Sequence, residues 1–273
     1  MTDKAIILAG GMGTRMQKAH PSGGELGDEA ARLADKGLKG LIPVAGRPFL
    51  DYVISSLLEC GLRDICLVIP PDNPELQDYI RDTEERTGAH ITWAVQEEPL
   101  GTAHALMCAR DFAGSDPFVM CNCDNLYPRE ALFRLSAVAD DGSYVVAFDR
   151  DALLEESNFG PERVRRFAVV VADEDDRLVE IVEKPGDPER YMHEGRLWVS
   201  MNLYRFGPDV FDACDRIEPD PERGELELTA AVLLMAREQE VEVLFSSGAV
   251  IDMTGRADIA AAEEVLAERS VGF

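Results

Sequence analysis

Apolar positions along this chain fall into two alternating rhythms. Residues 4–9 (Lys-Ala-Ile-Ile-Leu-Ala) form a short apolar run that stops at a glycine turn, the pattern of a buried strand. Residues 50–62 place Val53, Ile54, Leu57 and Leu58 on one face of a helix. The alternation continues with strands at 64–70, 90–95, 117–123 and 144–148, and helices at 75–86, 102–110 and 129–139. Strands separated by helices of roughly ten residues predict a largely parallel sheet covered on both faces. Beyond residue 148 the rhythm changes. Residues 165–172 and 177–182 flank an acidic turn and read as an antiparallel hairpin. A strand at 197–206, a helix at 227–237, strands at 241–245 and 249–252 and a closing helix at 257–269 complete the pattern. The expectation is a single α/β domain over residues 1–273, with two lobes sharing a mixed sheet.

Composition narrows the class. Hydrophobic residues make up 46% of the chain, enough for a sizeable core. Against 27 lysines and arginines stand 52 acidic residues, a formal charge of −25. Such a surface has no general grip on nucleic acid or on anionic lipid, both of which need positive charge. No apolar run approaches the ~18 residues of a membrane span, and the N-terminal apolar run is too short for a signal peptide. The six cysteines form no CxxC pair and the four histidines no zinc spacing. These features predict reduced thiols and a cytoplasmic protein without nucleic-acid or membrane partners. Only five of the cations are lysines, at positions 4, 18, 36, 39 and 184.

Candidate chemistry begins where the first strand ends, at Leu8-Ala-Gly-Gly-Met-Gly-Thr-Arg15. Glycines there allow close backbone approach to a phosphate, turn amides can form an anion nest, and Arg15 adds a permanent charge. A dinucleotide fingerprint fails because Met16 occupies the third glycine position, and no Gly-Lys-Ser/Thr follows to make a Walker loop. Asp124 and Asp252 both end short apolar strands, on the side of an α/β sheet where ligands bind, and two hard carboxylates suit Mg²⁺.

Six segments in this order resemble the sugar-1-phosphate nucleotidylyltransferases, from Ile6 to about Ile259. Gly10, Gly11, Gly13, Thr14 and Arg15 match the nucleotide loop of that family, GGxGTR. Lys39, four residues before Pro43, matches its PKxLLPVxGxP lysine, and Gln96 with Gly101, Thr102 and Ala103 resembles its base-reading loop. Asp124, in Cys-Asn-Cys-Asp-Asn, and Asp252, in Val-Ile-Asp-Met-Thr-Gly, match its two metal aspartates, and Glu183-Lys184-Pro185 its sugar-phosphate segment. The resemblance implies a Rossmann-like mixed, mostly parallel sheet flanked by helices, of the GT-A-like nucleotide-diphospho-sugar transferase type. It divides the chain into a nucleotide-binding lobe (1–125), a sugar-phosphate lobe (126–252) and a C-terminal helix (253–273). It implies transfer of a nucleoside monophosphate from an NTP to a sugar-1-phosphate, with Mg²⁺ as cofactor and a homo-oligomer as candidate assembly. Arg15, Lys39 and Lys184 would be catalytic. Leu8, Ala9, Gly10, Gly11, Gly13, Thr14, Gln96, Gly101 and Thr102 would bind the nucleotide. Asn125, Ala168, Glu183 and Asn202 would bind the sugar phosphate, and Asp124 and Asp252 the metal.

Three departures leave the substrate open. From Arg15 to Lys39 is 24 positions, longer than the family spacing, so residues 16–37 read as an insertion that is either surface or a lid. Phe167-Ala168 stands where Tyr-Gly is usual, and Asn202 where a glycine is usual. Those changes point to an acceptor other than plain glucose-1-phosphate, a modified sugar or a cyclitol phosphate. Asp124-Asn125 is not the DxD of glycosyltransferases. A cyclitol-phosphate nucleotidyltransferase and a catalytically inactive nucleotide-sugar-binding regulator stay open as alternatives.

Overall fold

The computed structural model describes residues 1–11 and 27–273 of the chain. In its first half the strands are β1 (Lys4–Leu8), β2 (Pro43–Val44), β3 (Arg47–Pro48), β4 (Asp64–Ile69), β5 (His90–Val95), β6 (Phe118–Asn122) and β7 (Asn125–Leu126). The second half adds β8 (Ser143–Asp149), β9 (Val169–Ala172), β10 (Leu178–Val182), β11 (Trp198–Phe206), β12 (Val241–Ser246) and β13 (Ile251–Asp252). Among the described residues nine strands make one mixed sheet, in the order β10-β9-β11-β6-β1-β4-β5, with β8 beside β11 and β12 beside β8.

While β2 and β3 form a separate antiparallel pair, within the main sheet the strands of the first half pair parallel, β1 with β4 and β6 and β4 with β5. Each is joined to the next through a helix, as parallel pairing requires. Antiparallel pairing enters the main sheet with β11, which contacts β6, β8 and β9, and with the β9–β10 hairpin. Alternate residues of β1 feed two separate cores: Ala5 and Ile7 one face, Ile6 and Leu8 the other. The helices Phe49–Glu59, Arg129–Ala137 and Arg256–Leu266 cover the first face, and Thr102–Met107, Asp209–Arg216 and Leu228–Glu238 the second. A sheet buried on both faces explains why its strands read as continuous apolar runs. No helix among the described residues is long and apolar enough to cross a membrane.

The start of the hairpin differs from the reading of the sequence. Residues 161–164 form a short helix, Pro161–Val164, and the first hairpin strand begins only at Val169. Proline at the first helical turn supplies the preset φ that starts such a turn.

Candidate active site

Leu8 lies in register with Val68 of β4 and Asn122 of β6, so three parallel strands end level with one another. Their carboxyl ends are where an open α/β sheet leaves a crevice. The chain leaving β1 is held by hydrogen bonds from Ala9 N to Val68 O (2.8 Å) and from Cys123 N to Leu8 O (3.1 Å). Leu8, Ala9, Gly10 and Gly11 line a cavity of about 410 Å³ together with Gln96, Gly101 and Thr102, and with Lys39 and Asp124. A Cβ on Gly10 would stand 2.7 Å from Gln96 Oε1, so a larger residue here would displace the buried Gln96 amide. Gln96 is buried, and its Nε2 donates to Gly101 O (3.1 Å) and lies 3.2 Å from His104 Nδ1. Gly101 has φ +107°, and a Cβ there would meet the Leu226 backbone at 2.5 Å. Leu226 in turn bonds Leu100 O and Ala103 N, and Leu228 N bonds Thr102 Oγ1 at 2.9 Å. The loop that carries Gln96 and Thr102 is therefore pinned by a segment more than 120 residues later, which also brings Glu225 to the cavity. Gly13, Thr14 and Arg15 lie outside the described residues.

Asp124 stands at the end of the same strands. Lys39, from the short turn Lys39–Leu41, donates to Asp124 Oδ2 at 2.8 Å. Burial opposes the lysine charge, but the pull of Asp124 and its hydrogen bond outweigh burial and raise the ammonium above its ordinary pKa. Asp252 is brought alongside by the two-residue pairing of β13 with β7, and Met253 N donates to Asp124 O at 2.8 Å. The Asp252 side chain is 5% exposed and accepts four hydrogen bonds. Arg163 Nη2 (2.5 Å) and Thr254 N (2.6 Å) donate to Oδ1; Asn125 Nδ2 (2.8 Å) and Thr254 Oγ1 (3.1 Å) donate to Oδ2. Burial and the nearby Asp124 carboxylate push the Asp252 carboxyl up to about 6, against the pull of Arg163. Asn125 thus braces Asp252, a role that its place beside Asp124 in sequence does not announce.

A second cavity of about 980 Å³ shares Asn122 and Asp124 with the first, so the two meet at these residues. Ala168, Glu183, Lys184 and Asn202 all line it. The place of Lys184 before Pro185 predicts an extended backbone, but its φ is +43°. Proline disfavours right-handed helix in the residue before it. That argument does not choose between extended and left-handed backbone, and the turn leaving β10 takes the second. Asn202 also has a left-handed φ, +55°, at a register shift in β11. Glycine and asparagine are the residues that adopt this backbone readily. Arg163, Arg166, Arg223 and Arg256 line the same cavity and were not singled out from sequence. Arg163 sits on a helix of four residues, too short for any periodic signal, and its carboxylate partners are 89 and 95 positions away.

The residues present fit a hard divalent cation. Among the described residues no cluster of three or more His, Cys, Asp or Glu side chains is disposed to hold a metal. Two carboxylates that raise each other's energy are the donor set that Mg²⁺ takes when phosphate oxygens and water complete its shell. Among the described residues Asp124 Oδ1 accepts no hydrogen bond, which leaves it open for such a ligand.

Comparison with known proteins bears on the family and the fold. The sequence profile of the nucleotidyl transferase family matches residues 22–250. The low-salt glycan biosynthesis nucleotidyltransferase Agl11 of Haloferax volcanii is 32% identical over 84% of this chain and 56% of its own length. A glucose-1-phosphate thymidylyltransferase of Streptomyces griseus is 30% identical, with the same coverages. The chain therefore spans little more than half the length of these relatives. The UTP–glucose-1-phosphate uridylyltransferase AglF of Haloferax volcanii is 26% identical over 98% of both chains. A crystal structure of UDP-glucose pyrophosphorylase with UDP-glucose superposes with a TM-score of 0.74, covering 99% of this chain and all of that one at 17% identity. That likeness bears on the fold: a mixed, mostly parallel sheet flanked by helices, of the nucleotide-sugar pyrophosphorylase type. On the profile match over most of its length, the chain belongs to the nucleotidyl transferase family.

Proposed function

We propose that this protein transfers a nucleoside monophosphate from an NTP to a sugar-1-phosphate or similar phosphate monoester, releasing pyrophosphate. The observation that carries this reading is the meeting of two cavities at Asp124, with Lys39 at the junction and Lys184 lining the larger one. One cavity takes the nucleotide, between the Gly10–Gly11 turn and the Gln96–Thr102 loop. The other takes the acceptor, beside Lys184, Glu183, Ala168 and Asn202.

The nucleophile is an oxygen of a phosphate monoester whose second pKa lies near ~6, so it arrives ionised and needs no general base. The task left to the protein is to align two anions that repel each other and to stabilise the charge that develops at the α-phosphorus. Lys39 supplies an ammonium at the junction, ready to pass from Asp124 to the triphosphate. Arg15, which follows the glycine turn in the sequence, would add a guanidinium to the triphosphate. Lys184 holds the acceptor phosphate. Mg²⁺ held by Asp124 and Asp252 would supply neutralisation of phosphate charge.

Purified protein should release pyrophosphate from one of the common NTPs in the presence of Mg²⁺ and a panel of sugar and cyclitol phosphates. Nucleotide binding without release across the whole panel would favour a regulator that has kept the fold without turnover.

A further inference from the structure

Resting on the reading that Asp252 holds a divalent cation, we infer that Arg163 is the resident counter-ion of Asp252, occupies it in the cation-free protein, and must be displaced when the cation binds. The argument starts from capacity. A carboxylate offers about four acceptor positions, and Asp252 has four donors on it. A fifth partner can enter only if one of these leaves.

Two of the four are anchored by backbone, and a third is a neutral hydroxyl. Thr254 N is backbone of the turn after β13, and its hydroxyl belongs to the same residue. Asn125 is buried, and its backbone is paired with that of Asp252 in the β13–β7 ladder. Arg163 is different. It is the one charged donor of the four, its side chain is a quarter exposed, and it reaches Asp252 from a helix of four residues. It also has somewhere to stay. Its Nη1 lies 3.1 Å from Asp258 Oδ2, and its guanidinium stacks on the Phe159 ring at 5.0 Å. Released from Asp252, it keeps both contacts and remains in the wall of the larger cavity.

Asp124 makes the contrast. Its one charged partner, Lys39, leaves Oδ1 open among the described residues, so it can accept a cation without losing a bond. The two carboxylates therefore differ in their readiness for metal: one is open, the other guarded. The guard spares the chain a buried, uncompensated Asp252 when no cation is present, an arrangement that would otherwise be strongly destabilising.

Mn²⁺ binding without nucleotide, followed by electron paramagnetic resonance on the wild-type chain and on Arg163→Gln, Arg163→Lys and Asp252→Asn, tests this. Removing a charge that competes for one carboxylate should tighten Mn²⁺ binding by Arg163→Gln on the order of tenfold. A merely structural arginine predicts the reverse, because the loosened site would bind more weakly. Arg163→Lys, whose single ammonium cannot grip both carboxylates as the fork does, should fall between. Mn²⁺ should also raise the melting temperature of Arg163→Gln more than that of the wild type. Equal or weaker Mn²⁺ binding by Arg163→Gln, with binding lost in Asp252→Asn, overturns the inference and leaves the metal reading intact. Unchanged binding by Asp252→Asn removes the metal reading of that residue, and the inference with it. Should Arg163→Gln not fold, Arg163→Lys decides: affinity no higher than wild type overturns the inference.

Discussion

Lys184 places a long cationic side chain on a backbone that lysine rarely adopts, and such strain concentrates where a site requires it. Left-handed backbone costs a non-glycine residue roughly 1–2 kcal/mol, so Lys184→Gly should match or exceed the wild-type melting temperature. The same substitution removes the ammonium, and loss of phosphate positioning should lower acceptor-dependent pyrophosphate release by about 100-fold or more. A lower melting temperature with activity retained would make Lys184 structural. The two aspartates should behave differently from each other. Asp124→Asn should abolish turnover with little change in melting temperature, since only Lys39 depends on it among the described residues. Asp252→Asn should abolish turnover and also destabilise the fold by about 2–4 kcal/mol, because the new amide group turns donors toward donors in a buried site. Denaturant titrations of the two variants measure the difference. At this scale the sequence exposed the residues that sit at strand ends or in glycine turns: Gly10, Gly11, Lys39, Gln96, Gly101, Asp124 and Asp252. It did not expose Arg163, Asp258 or Glu225, whose significance depends on partners brought near by the fold rather than on spacing along the chain.

Among the elements, β11 shows how packing shapes the acceptor side. Its pairing with β8 shifts register between Ser200 and Tyr204, leaving extra residues at Asn202. The carbonyls of that bulge are caught by one hydroxyl: Tyr127 Oη donates to Met201 O at 2.7 Å and lies 3.3 Å from Asn202 O. Tyr127 is itself buried, and its hydroxyl lies 3.4 Å from Asn125 Oδ1, which connects the bulge to the brace of Asp252. Tyr127→Phe should leave the buried Met201 carbonyl unpaired, cost about 1–3 kcal/mol and raise the KM for the acceptor more than that for the NTP. Equal effects on both KM values would detach the bulge from acceptor binding. Strands β4 and β5 were legible almost to the residue because each is a short, largely apolar run with a helix before and after it. The helices Arg150–Glu156 and Asp209–Arg216 were missed. Each is barely two turns, although Asp149, whose side chain accepts from Asp151 N, is an N-cap signal that the sequence carries.

For the whole molecule the dominant quantity is the charge of −25, carried by a chain whose proposed substrates are also polyanions. Self-repulsion of that size opposes the compact state, and salt relieves it as the Debye length falls from about 30 Å at 0.01 M to about 3 Å at 1 M. The melting temperature should therefore rise when KCl is raised across that range. A flat or falling profile would mean that the many surface ion pairs already compensate the acidic excess. The overall architecture was legible because alternating strand and helix patterns admit few arrangements of a parallel sheet. The meeting of the two cavities was not, since it depends on where β11 and β13 return. That return has a temporal side. Asp252 reaches Asp124 through the short ladder between β13 and β7, formed by residues 125–126 and 251–252, and the Met253 N–Asp124 O bond beside it. A chain emerging from the ribosome holds the glycine turn, Lys39, Gln96 and Asp124 well before Leu226 arrives to pin the Gln96–Thr102 loop, and Asp252 follows later still. The nucleotide loop and the second carboxylate are then completed at separate moments of synthesis, the loop when Leu226 pins it and the carboxylate when β13 pairs with β7.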